Sequence, residues 1–347
     1  MSELIEMLKK AREIGASDLH VCTDRPLFLR LNGSLRFASN PLKPEDTERI
    51  LLESLEEKQR EDLKNSLGLE ACLVDEEGKR YRACYIRHRR GWDGSFRIIS
   101  ERIPALEELG LPPQLERLTE HHQGLVLVGG PGGAGKTTTL AALLDLINKT
   151  RRDHIITIED PIEYVITPEL CQITQRQIGP HTLSFANSLK AALREDPDII
   201  MVGEMRDLET MSMVITAAET GHLVLSTVHT ISATRTIGAI IDAFPPEQQE
   251  QVRIMLAESL RGIICQQLVP SPSGTSMYPA LEVLLGSAGV ANIIRDNKTE
   301  MLASEIQTGT ARGMRLMDNS LAKLVEKKKI SLKEARSRAQ DKERFSS

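Results

Sequence analysis

The chain has 347 residues, 40% of them apolar and 27% charged, which is typical of a globular protein with more than one domain. Its 44 basic and 49 acidic residues give a formal net charge of −5, and only 3% of the residues are aromatic. This composition disfavours proteins that bind nucleic acid through a basic surface or by base stacking. No apolar run approaches the ~20 residues of a membrane-spanning helix. The five scattered cysteines indicate neither a disulfide framework nor a cysteine zinc site.

The first part of the chain is predicted to form a small α+β domain. A helix is expected over residues 2–14, and the alternating apolar runs on either side of Asn32-Gly33 are typical of a β-hairpin. A proline opens a charged segment that is predicted to be helical over 44–58. Strand-like runs follow at 71–74, 81–88 and 95–100. Together these elements predict a first domain over residues 1–102.

The last two of these runs and the residues beside them are rich in arginine. The arginines are Arg80, Arg82, Arg87, Arg89, Arg90, Arg97 and Arg102. Charge of this kind protects a solvated sheet edge from pairing with another strand. Alternatively, one or two of these side chains reach a nucleotide phosphate across a domain or subunit boundary, because a planar guanidinium binds phosphate through two parallel hydrogen bonds. The residues alone leave both explanations open.

After a proline-containing linker, predicted over residues 103–118, the chain carries a phosphate-site pattern. The apolar run 124–129 leads into Gly130-Pro131-Gly132-Gly133-Ala134-Gly135-Lys136-Thr137, a complete G-x-x-x-x-G-K-[ST] motif, and a run of helical periodicity follows. Glycines let successive backbone N–H groups face one anion, and the helix N-terminus adds partial positive charge. Lys136 is expected to reach the β- and γ-phosphates, and Thr137 to ligate Mg²⁺. The alternative is a chance Gly-Lys-Thr, which the flanking strand and helix disfavour.

Three further strand-like runs are bounded by residues suited to nucleotide hydrolysis. These residues are Glu159, Asp160 and Glu163 after the first run, Glu204 after the second, and His222 and His229 on either side of the third. In an open α/β sheet, ligands bind at the carboxyl ends of the strands. Carboxylates there hold a metal ion or activate water. His229 lies where a γ-phosphate sensor is expected. A single acidic residue at such a position is more simply explained by solvation at the surface. His222 is more simply explained as a core residue that forms hydrogen bonds.

The rest of the chain is predicted to be mostly helical. One long amphipathic helix is expected over residues 247–267, followed by a loop over 271–277 and a strand over 278–285. The basic tail, residues 326–344, is interpreted as a solvated helix or a contact surface.

Taken together, the motifs resemble the secretion-type (type II/IV) AAA-like ATPases and, within them, the type IV pilus twitching-motility ATPases of the PilT family. Besides the phosphate loop, the matching stretches are an acidic box at 158–163, a Walker B region at 192–210 and a histidine box at 217–229. The resemblance implies an α/β fold with a PAS-like α+β domain over 1–102. It also implies a linker over 103–118. A RecA-like P-loop NTPase domain with C-terminal helical segments then covers 119–347.

The resemblance implies an Mg²⁺-dependent ATPase and assigns roles to individual residues. Lys136 and Thr137 bind the phosphates and Mg²⁺, Glu204 supports the Mg²⁺ or its water, and Glu163 activates the attacking water. His222 and His229 correspond to histidine-box residues, of which His229 is assigned a catalytic role. The remaining implied nucleotide contacts are Gly130, Pro131, Gly132, Gly133, Ala134, Gly135, Thr138, Glu159, Asp160, Arg82, Arg97 and Arg102.

The family also implies an assembly and a location. We expect a homohexamer in the cytoplasm, with each nucleotide between a PAS-like and a RecA-like domain. An inner-membrane pilus platform protein would recruit the ring to the inner face of the cytoplasmic membrane, and a paralogous ATPase is a further candidate partner. Neither nucleic-acid binding nor direct membrane insertion is expected.

Features that distinguish branches of the family point in two directions. Extension and type II secretion ATPases usually carry an additional N-terminal domain and a four-cysteine zinc insert, and their absence from this sequence favours a retraction motor. Retraction ATPases typically carry Ala-Ile-Arg-Asn-Leu-Ile-Arg-Glu near the C-terminus, whereas residues 289–296 lack the first arginine. Gly132 and Ala134 also replace a more usual threonine and serine. The alternatives are an accessory, extension or secretion-type ATPase and, less favoured, a nucleic-acid translocase.

Overall fold

The computed structural model of the protein describes residues 2–31, 33–99 and 102–346. Contacts between Cα atoms divide the chain into two compact units, Met1–Arg102 and Ile103–Ser347. Each unit has hydrophobic clusters of its own. Asn32 of the predicted hairpin and Ser100 at the end of a predicted strand lie outside the described residues.

The first unit is an antiparallel sheet packed with helices. Its helices are α1 Glu3–Glu13, α2 Pro44–Glu53 and α3 Glu57–Ser66. Its strands are β1 Asp18–Val21, β2 Phe28–Leu31, β3 Ser34–Phe37, β4 Gly68–Val74, β5 Arg80–His88 and β6 Gly91–Ile98. The strands lie in the order β3-β2-β1-β6-β5-β4. Tyr81, Tyr85 and Phe96 of the sheet are fully buried against apolar residues of the helices. The helix predicted over 44–58 is two helices, because the Glu56 N–H donates to Gln59 Oε1 (3.0 Å) and so starts α3.

The second unit is built on a mostly parallel sheet with helices. Its strands are β7 Gly124–Gly129, β8 His154–Glu159, β9 Gln172–Gln177, β10 Ile199–Val202, β11 Leu223–Val228, β12 Leu260–Pro270 and β13 Met277–Leu285. Its helices are α4 Lys136–Thr150, α5 Phe185–Ala192, α6 Leu208–Glu219, α7 Ala233–Asp242, α8 Pro246–Ser259, α9 Ala288–Arg295, α10 Leu302–Thr308, α11 Met317–Glu326 and α12 Leu332–Arg338. Short 3-10 turns lie at Pro113–Thr119, Thr299–Met301, Gly309–Arg312 and Glu343–Phe345.

The strand order in this sheet is β13-β12-β7-β11-β10-β8-β9, and the strands from β12 to β9 are parallel. The β7 strand has both faces covered, since Leu125 and Leu127 pack into one hydrophobic cluster while Val126 and Val128 pack into another. The carboxyl ends of β7, β8, β10 and β11 therefore lie along one edge of the sheet. These features confirm the predicted α/β class, with an α+β domain followed by a RecA-like domain and C-terminal helices.

The prediction of one long helix over 247–267 is wrong. Helix α8 ends at Ser259, and the segment from Leu260 onward is β12, which pairs in parallel with β7 and antiparallel with β13. Leu260, Ile263 and Ile264 have helical spacing, but all three are buried in a strand with neighbours on both sides. A strand buried on both faces is a continuous apolar run, which short sequence windows do not separate from a buried helix.

Two other segments are more closely packed than expected. Residues 103–118, predicted as a linker, contribute Leu106, Leu111, Leu115 and Leu118 to a core cluster of the second unit. The basic tail is not one solvated helix, because Ile330, Ala335, Ala339 and Phe345 are buried in a further cluster. Among the described residues, no helix is long and apolar enough to cross a membrane.

Candidate nucleotide site

The phosphate loop lies between the end of β7 and the start of α4. Gly130, Gly133 and Gly135 have φ values of 147°, 74° and 85°, a region that favours glycine. At Gly130 there is also no room, since a Cβ would lie 2.4 Å from the Gln266 carbonyl oxygen. Helix α4 begins without a side-chain cap, so its first N–H groups are available to an anion. The loop thus has the shape that the motif predicts.

Lys136 is folded back over this loop. Its Nζ donates to the carbonyl oxygens of Gly130 (2.9 Å) and Pro131 (3.0 Å). Burial lowers the pKa of Lys136, while the negative charges of Glu204 and Glu163 act in the opposite direction. The lysine therefore lies within electrostatic reach of both catalytic candidates.

The first turn of α4 presents two threonines to the site. Thr137 is half-buried next to Lys136. Thr138 Oγ1 lies 3.2 Å from the hydroxyl of Tyr164, which belongs to the segment after β8. This contact joins the phosphate loop to the segment that carries Glu163.

The three acidic residues at the end of β8 have different surroundings. Glu159 is buried, and its carboxylate accepts hydrogen bonds from Thr157 Oγ1 (2.6 Å), Gln175 Nε2 (3.0 Å) and the backbone N–H of Glu163. Burial raises the pKa of Glu159. Asp160 is exposed and Glu163 is half-buried. Glu159 is thus bonded within the protein and supports the backbone at Glu163, while the nucleotide contacts of all three stay predictions.

Glu204 follows Gly203 at the end of β10. Its carboxylate is 2.6 Å from Arg206 Nε and 3.5 Å from His229 Nε2. The Gly203 carbonyl accepts a hydrogen bond from Thr227 Oγ1 (2.6 Å), which fixes the end of β10 against β11. A Cβ on Gly203 would lie 3.2 Å from the Ile158 carbonyl, so this position also favours a small residue. The ends of β8, β10 and β11 are therefore held close together.

The structure separates the two histidines. His229 follows the carboxyl end of β11 and contacts Glu204, as described above. His222 precedes β11, and its carbonyl accepts from the N–H of Gly124 at the start of β7. Because β7 and β11 are paired in parallel over six residues, His222 lies roughly 20 Å from the phosphate-loop end of the sheet. Its Nδ1 is 3.1 Å from the Ala217 carbonyl. His222 is therefore too far from the phosphate loop of its own chain to contact a nucleotide there, which corrects the prediction.

Two of the three arginines that are predicted to contact phosphate lie in ion pairs. Arg82 Nη2 is 3.1 Å from Glu70, and Arg97 Nε is 3.1 Å from Asp18. Arg102 is exposed. The Arg82–Glu70 pair is solvent-accessible and contributes little to stability, whereas the Asp18 carboxylate that pairs with Arg97 is buried. The predicted phosphate contacts of these three residues stay predictions.

The oxygen donors at this edge suit Mg²⁺. The Thr137 hydroxyl and the Glu204 carboxylate are hard oxygen ligands, and Mg²⁺ in nucleotide sites takes one or two such ligands together with phosphate oxygens. No group of three or more His, Cys, Asp or Glu side chains able to hold a metal occurs within the described residues. The residues present therefore fit an ion that arrives with the nucleotide.

Three polar residues of the site were not predicted from the sequence. Gln266 of β12 contacts the phosphate loop, and Gln175 of β9 contacts Glu159 and the Tyr164 carbonyl. Tyr164, which lies in the segment that carries Glu163, contacts Thr138 of α4. The two glutamines lie in strands, and Gln266 was assigned to a helix. Only the strand pairing brings them to the site, so no local sequence signal marks them.

Comparison with known proteins gives a consistent result. The family model "Type II/IV secretion system protein" matches residues 97–344. The type IV pilus retraction ATPase PilT of Pseudomonas aeruginosa is 41% identical over 344 residues, covering 99% of this chain and 100% of the relative. A twitching motility protein of Neisseria gonorrhoeae is 42% identical over 320 residues, covering 92% and 86%. A crystal structure of the pilus retraction motor PilT with bound ADP has a TM-score of 0.88 and 41% identity, covering 99% of this chain and 98% of that one.

Proposed function

We propose that this chain, which belongs to the Type II/IV secretion system protein family and is an ATPase of that family, drives the retraction of a type IV pilus. The observation that carries the proposal is the convergence at one sheet edge of the phosphate loop, Glu204 and His229, beside the segment that bears Glu163. The full-length similarity to pilus retraction ATPases supports the assignment to this particular machine.

ATP binding begins at the phosphate loop. Backbone N–H groups of the loop and of the first turn of α4 surround the β-phosphate, because the first N–H groups of a helix have no intrahelical partners and α4 has no side-chain cap. Lys136 exchanges its two carbonyl partners for phosphate oxygens, which form the stronger, charge-assisted bonds. Thr137 and Glu204 would supply oxygen ligands to an Mg²⁺ ion bound with ATP, and the ion would neutralise phosphate charge.

Hydrolysis depends on a second group of residues. Glu163 accepts the proton of the attacking water, because it is half-buried within reach of the Lys136 charge. Glu204 is oriented by Arg206 and His229, so its carboxylate is held toward the phosphates. Arg82, Arg97 and Arg102 are assigned to the developing phosphate charge.

The chemical part of the proposal is tested by ATP hydrolysis and nucleotide binding in purified variants. Lys136→Ala should lower the rate by at least about a hundredfold, as removal of a phosphate-stabilising charge does. Glu204→Gln should abolish hydrolysis yet change the Kd for ATP by less than about threefold, because the amide keeps its size. Glu209→Gln, at an exposed residue paired with Lys190, is the control. Wild-type hydrolysis in Lys136→Ala would disprove the site.

The mechanical part is tested in the source bacterium. Deletion of the gene should abolish twitching and increase the number of surface pili, because pili would form without being withdrawn. The wild-type gene should restore both properties, and Glu204→Gln should restore neither. Unchanged pili and motility would instead support an accessory or secretion role. Stimulation of hydrolysis by DNA would support a translocase.

The assembly and location also belong to the proposal. We assign the working form to a homohexamer at the inner face of the cytoplasmic membrane, recruited by a pilus platform protein, with a paralogous ATPase as a further partner. Sedimentation velocity with Mg²⁺ and a non-hydrolysable ATP analogue should show a hexamer. A protein that stays monomeric under these conditions would contradict the assembly.

A further inference from the structure

Gln266 links the neighbouring strand β12 to the phosphate loop. Its Nε2 donates to the Ala134 carbonyl (2.7 Å), and its Oε1 accepts from Thr139 Oγ1 (2.8 Å). Gln266 is only 4% exposed. A buried amide with both ends bonded holds two positions on either side of Lys136 and Thr137.

The orientation of this amide is determined by its partners. The Ala134 carbonyl can only accept, so the nitrogen of Gln266 must face it. The oxygen then faces Thr139, whose hydroxyl must donate. Since Thr139 is itself fully buried, no water competes for either group.

The bond to Ala134 fixes the direction of one peptide group in the loop. Because the peptide is planar and trans, a carbonyl held toward β12 directs the N–H of Gly135 the opposite way, away from β12. The backbone of Gln266 also lies close to Gly130, because its carbonyl oxygen leaves no space for a side chain there. One residue is thus bonded to the loop at Ala134 and to the first part of α4 at Thr139.

We propose that Gln266 is a positioning residue that holds the phosphate loop in its nucleotide-binding shape before nucleotide arrives. This inference rests on the proposed nucleotide site. Without the two side-chain bonds the loop samples further conformations, and binding must then select the competent one. The loss therefore falls on nucleotide affinity, and the hydrolysis step of bound ATP is little affected.

The test uses Gln266→Met in the full chain, with ADP as the binding probe and steady-state ATP hydrolysis as the second readout. The Kd for ADP and the KM for ATP should rise about tenfold, the effect of losing a buried hydrogen bond, while kcat changes less than about twofold. Gln267→Met is the matched control, since Gln267 is the next residue of β12 and lines a different cavity with Ser232 and Arg235. It should leave Kd and KM unchanged.

Two further variants separate positioning from packing. Gln266→Glu keeps the side-chain volume and the bond from Thr139 but places an oxygen against the Ala134 carbonyl, so its Kd should be at least as high as that of Gln266→Met. Thr139→Val should raise Kd, and the double variant Gln266→Met with Thr139→Val should be less than additive because the two side chains share one bond.

Each outcome decides the question. Wild-type affinity in a folded Gln266→Met, an effect of equal size in Gln267→Met, or wild-type behaviour of Gln266→Glu would overturn the positioning role. A thermal midpoint that falls while Kd is unchanged would assign Gln266 to stability alone. Failure of the unaltered protein to bind ADP would instead contradict the proposed function.

Discussion

Two glycines of the phosphate loop illustrate how different the constraints on neighbouring residues are. Gly130 has a φ of 147° and no space for a Cβ. A Cβ on Gly132 would have no heavy atom within 4 Å, and the φ of Gly132 is not positive. The resemblance to twitching-motility ATPases implies that threonine is the more usual residue at the position of Gly132. We therefore expect Gly132→Thr to bind ADP within about threefold of the unaltered protein, and Gly130→Ala to lose at least about tenfold.

The comparison is made by titrating ADP into both variants after checking their far-UV circular dichroism spectra. Since both substitutions enlarge a glycine of the same loop, each serves as the control for the other. Equal losses of affinity would show that space for a Cβ and backbone conformation do not determine which glycines of the loop can be substituted.

At the residue scale, the sequence predicted the residue types of the site better than the burial and position of each side chain. It placed Glu159 and Glu163 together, but only the structure shows that Glu159 is bonded inside the protein while Glu163 is partly exposed. It also placed both histidines beside one strand, without showing that the strand separates them. A motif specifies the types and order of residues. The surroundings of each side chain depend on tertiary packing, which the motif does not reveal.

At the scale of elements, β9 positions the segment after β8. Gln175 of β9 donates to Glu159 Oε1 (3.0 Å) and the Tyr164 carbonyl (2.9 Å), and it accepts from the N–H of Ile166 (2.9 Å). These bonds surround Glu163, the proposed base. Replacement of Gln175 should therefore affect the alignment of the base more than nucleotide binding.

We expect Gln175→Met to lower kcat about tenfold while the Kd for ADP changes less than about threefold, because a misaligned base affects the transition state and not the phosphate loop. Steady-state kinetics and ADP titration measure the two effects. Gln172→Met, at an exposed position of the same strand, should leave both values unchanged. A rise in Kd without a change in kcat would contradict the role given to β9.

A buried glutamate joins β13 to the starts of two helices. Glu282 accepts from the backbone N–H groups of Ala233 (2.8 Å) and Met317 (3.4 Å). Burial raises its pKa above the ordinary 4.5. Below that ordinary value both states carry the proton, and above it the unfolded chain releases the proton first. The free energy of unfolding therefore loses a contribution from Glu282 as pH rises from about 4.5 to the raised value.

Glu282→Gln cannot titrate, so the stability of this variant relative to the unaltered protein should increase with pH across that window and then become constant. Urea unfolding of both proteins at a series of pH values from 4.5 to 8 measures the difference. The comparison removes the contributions of the other carboxylates, which are common to both proteins. A difference that is independent of pH would show that Glu282 has an ordinary pKa.

The elements themselves were predictable wherever local sequence and tertiary pairing agree. The strand, glycine loop and helix from Gly124 to Thr150 follow directly from composition and periodicity. Strand β12 did not, because its apolar residues have helical spacing and its partners β7 and β13 come from other parts of the chain. Gln266 was missed for the same reason, since its contact with the phosphate loop exists only through that pairing.

At the scale of the whole molecule, the two units have separate cores. One hydrophobic cluster is formed by residues of the first unit, and the others by residues of the second. The contacts described for the phosphate loop come from the second unit, including those of Gln266 and Tyr164. The arginines that we propose to act on the transition state belong to the first unit. Binding and turnover are therefore expected to be separable by dividing the chain.

A fragment of residues 103–347 should fold cooperatively and bind ADP within about threefold of the full chain, because its core and its phosphate loop are complete. Its ATP turnover should fall at least about a hundredfold, since the arginines that we propose to oppose the developing phosphate charge are absent. Urea unfolding, ADP titration and phosphate release measure the three properties. The full chain with Arg82, Arg97 and Arg102 changed to alanine is the control, and it should bind ADP and lose turnover in the same way. A folded fragment that does not bind ADP would show that the first unit also shapes the phosphate loop.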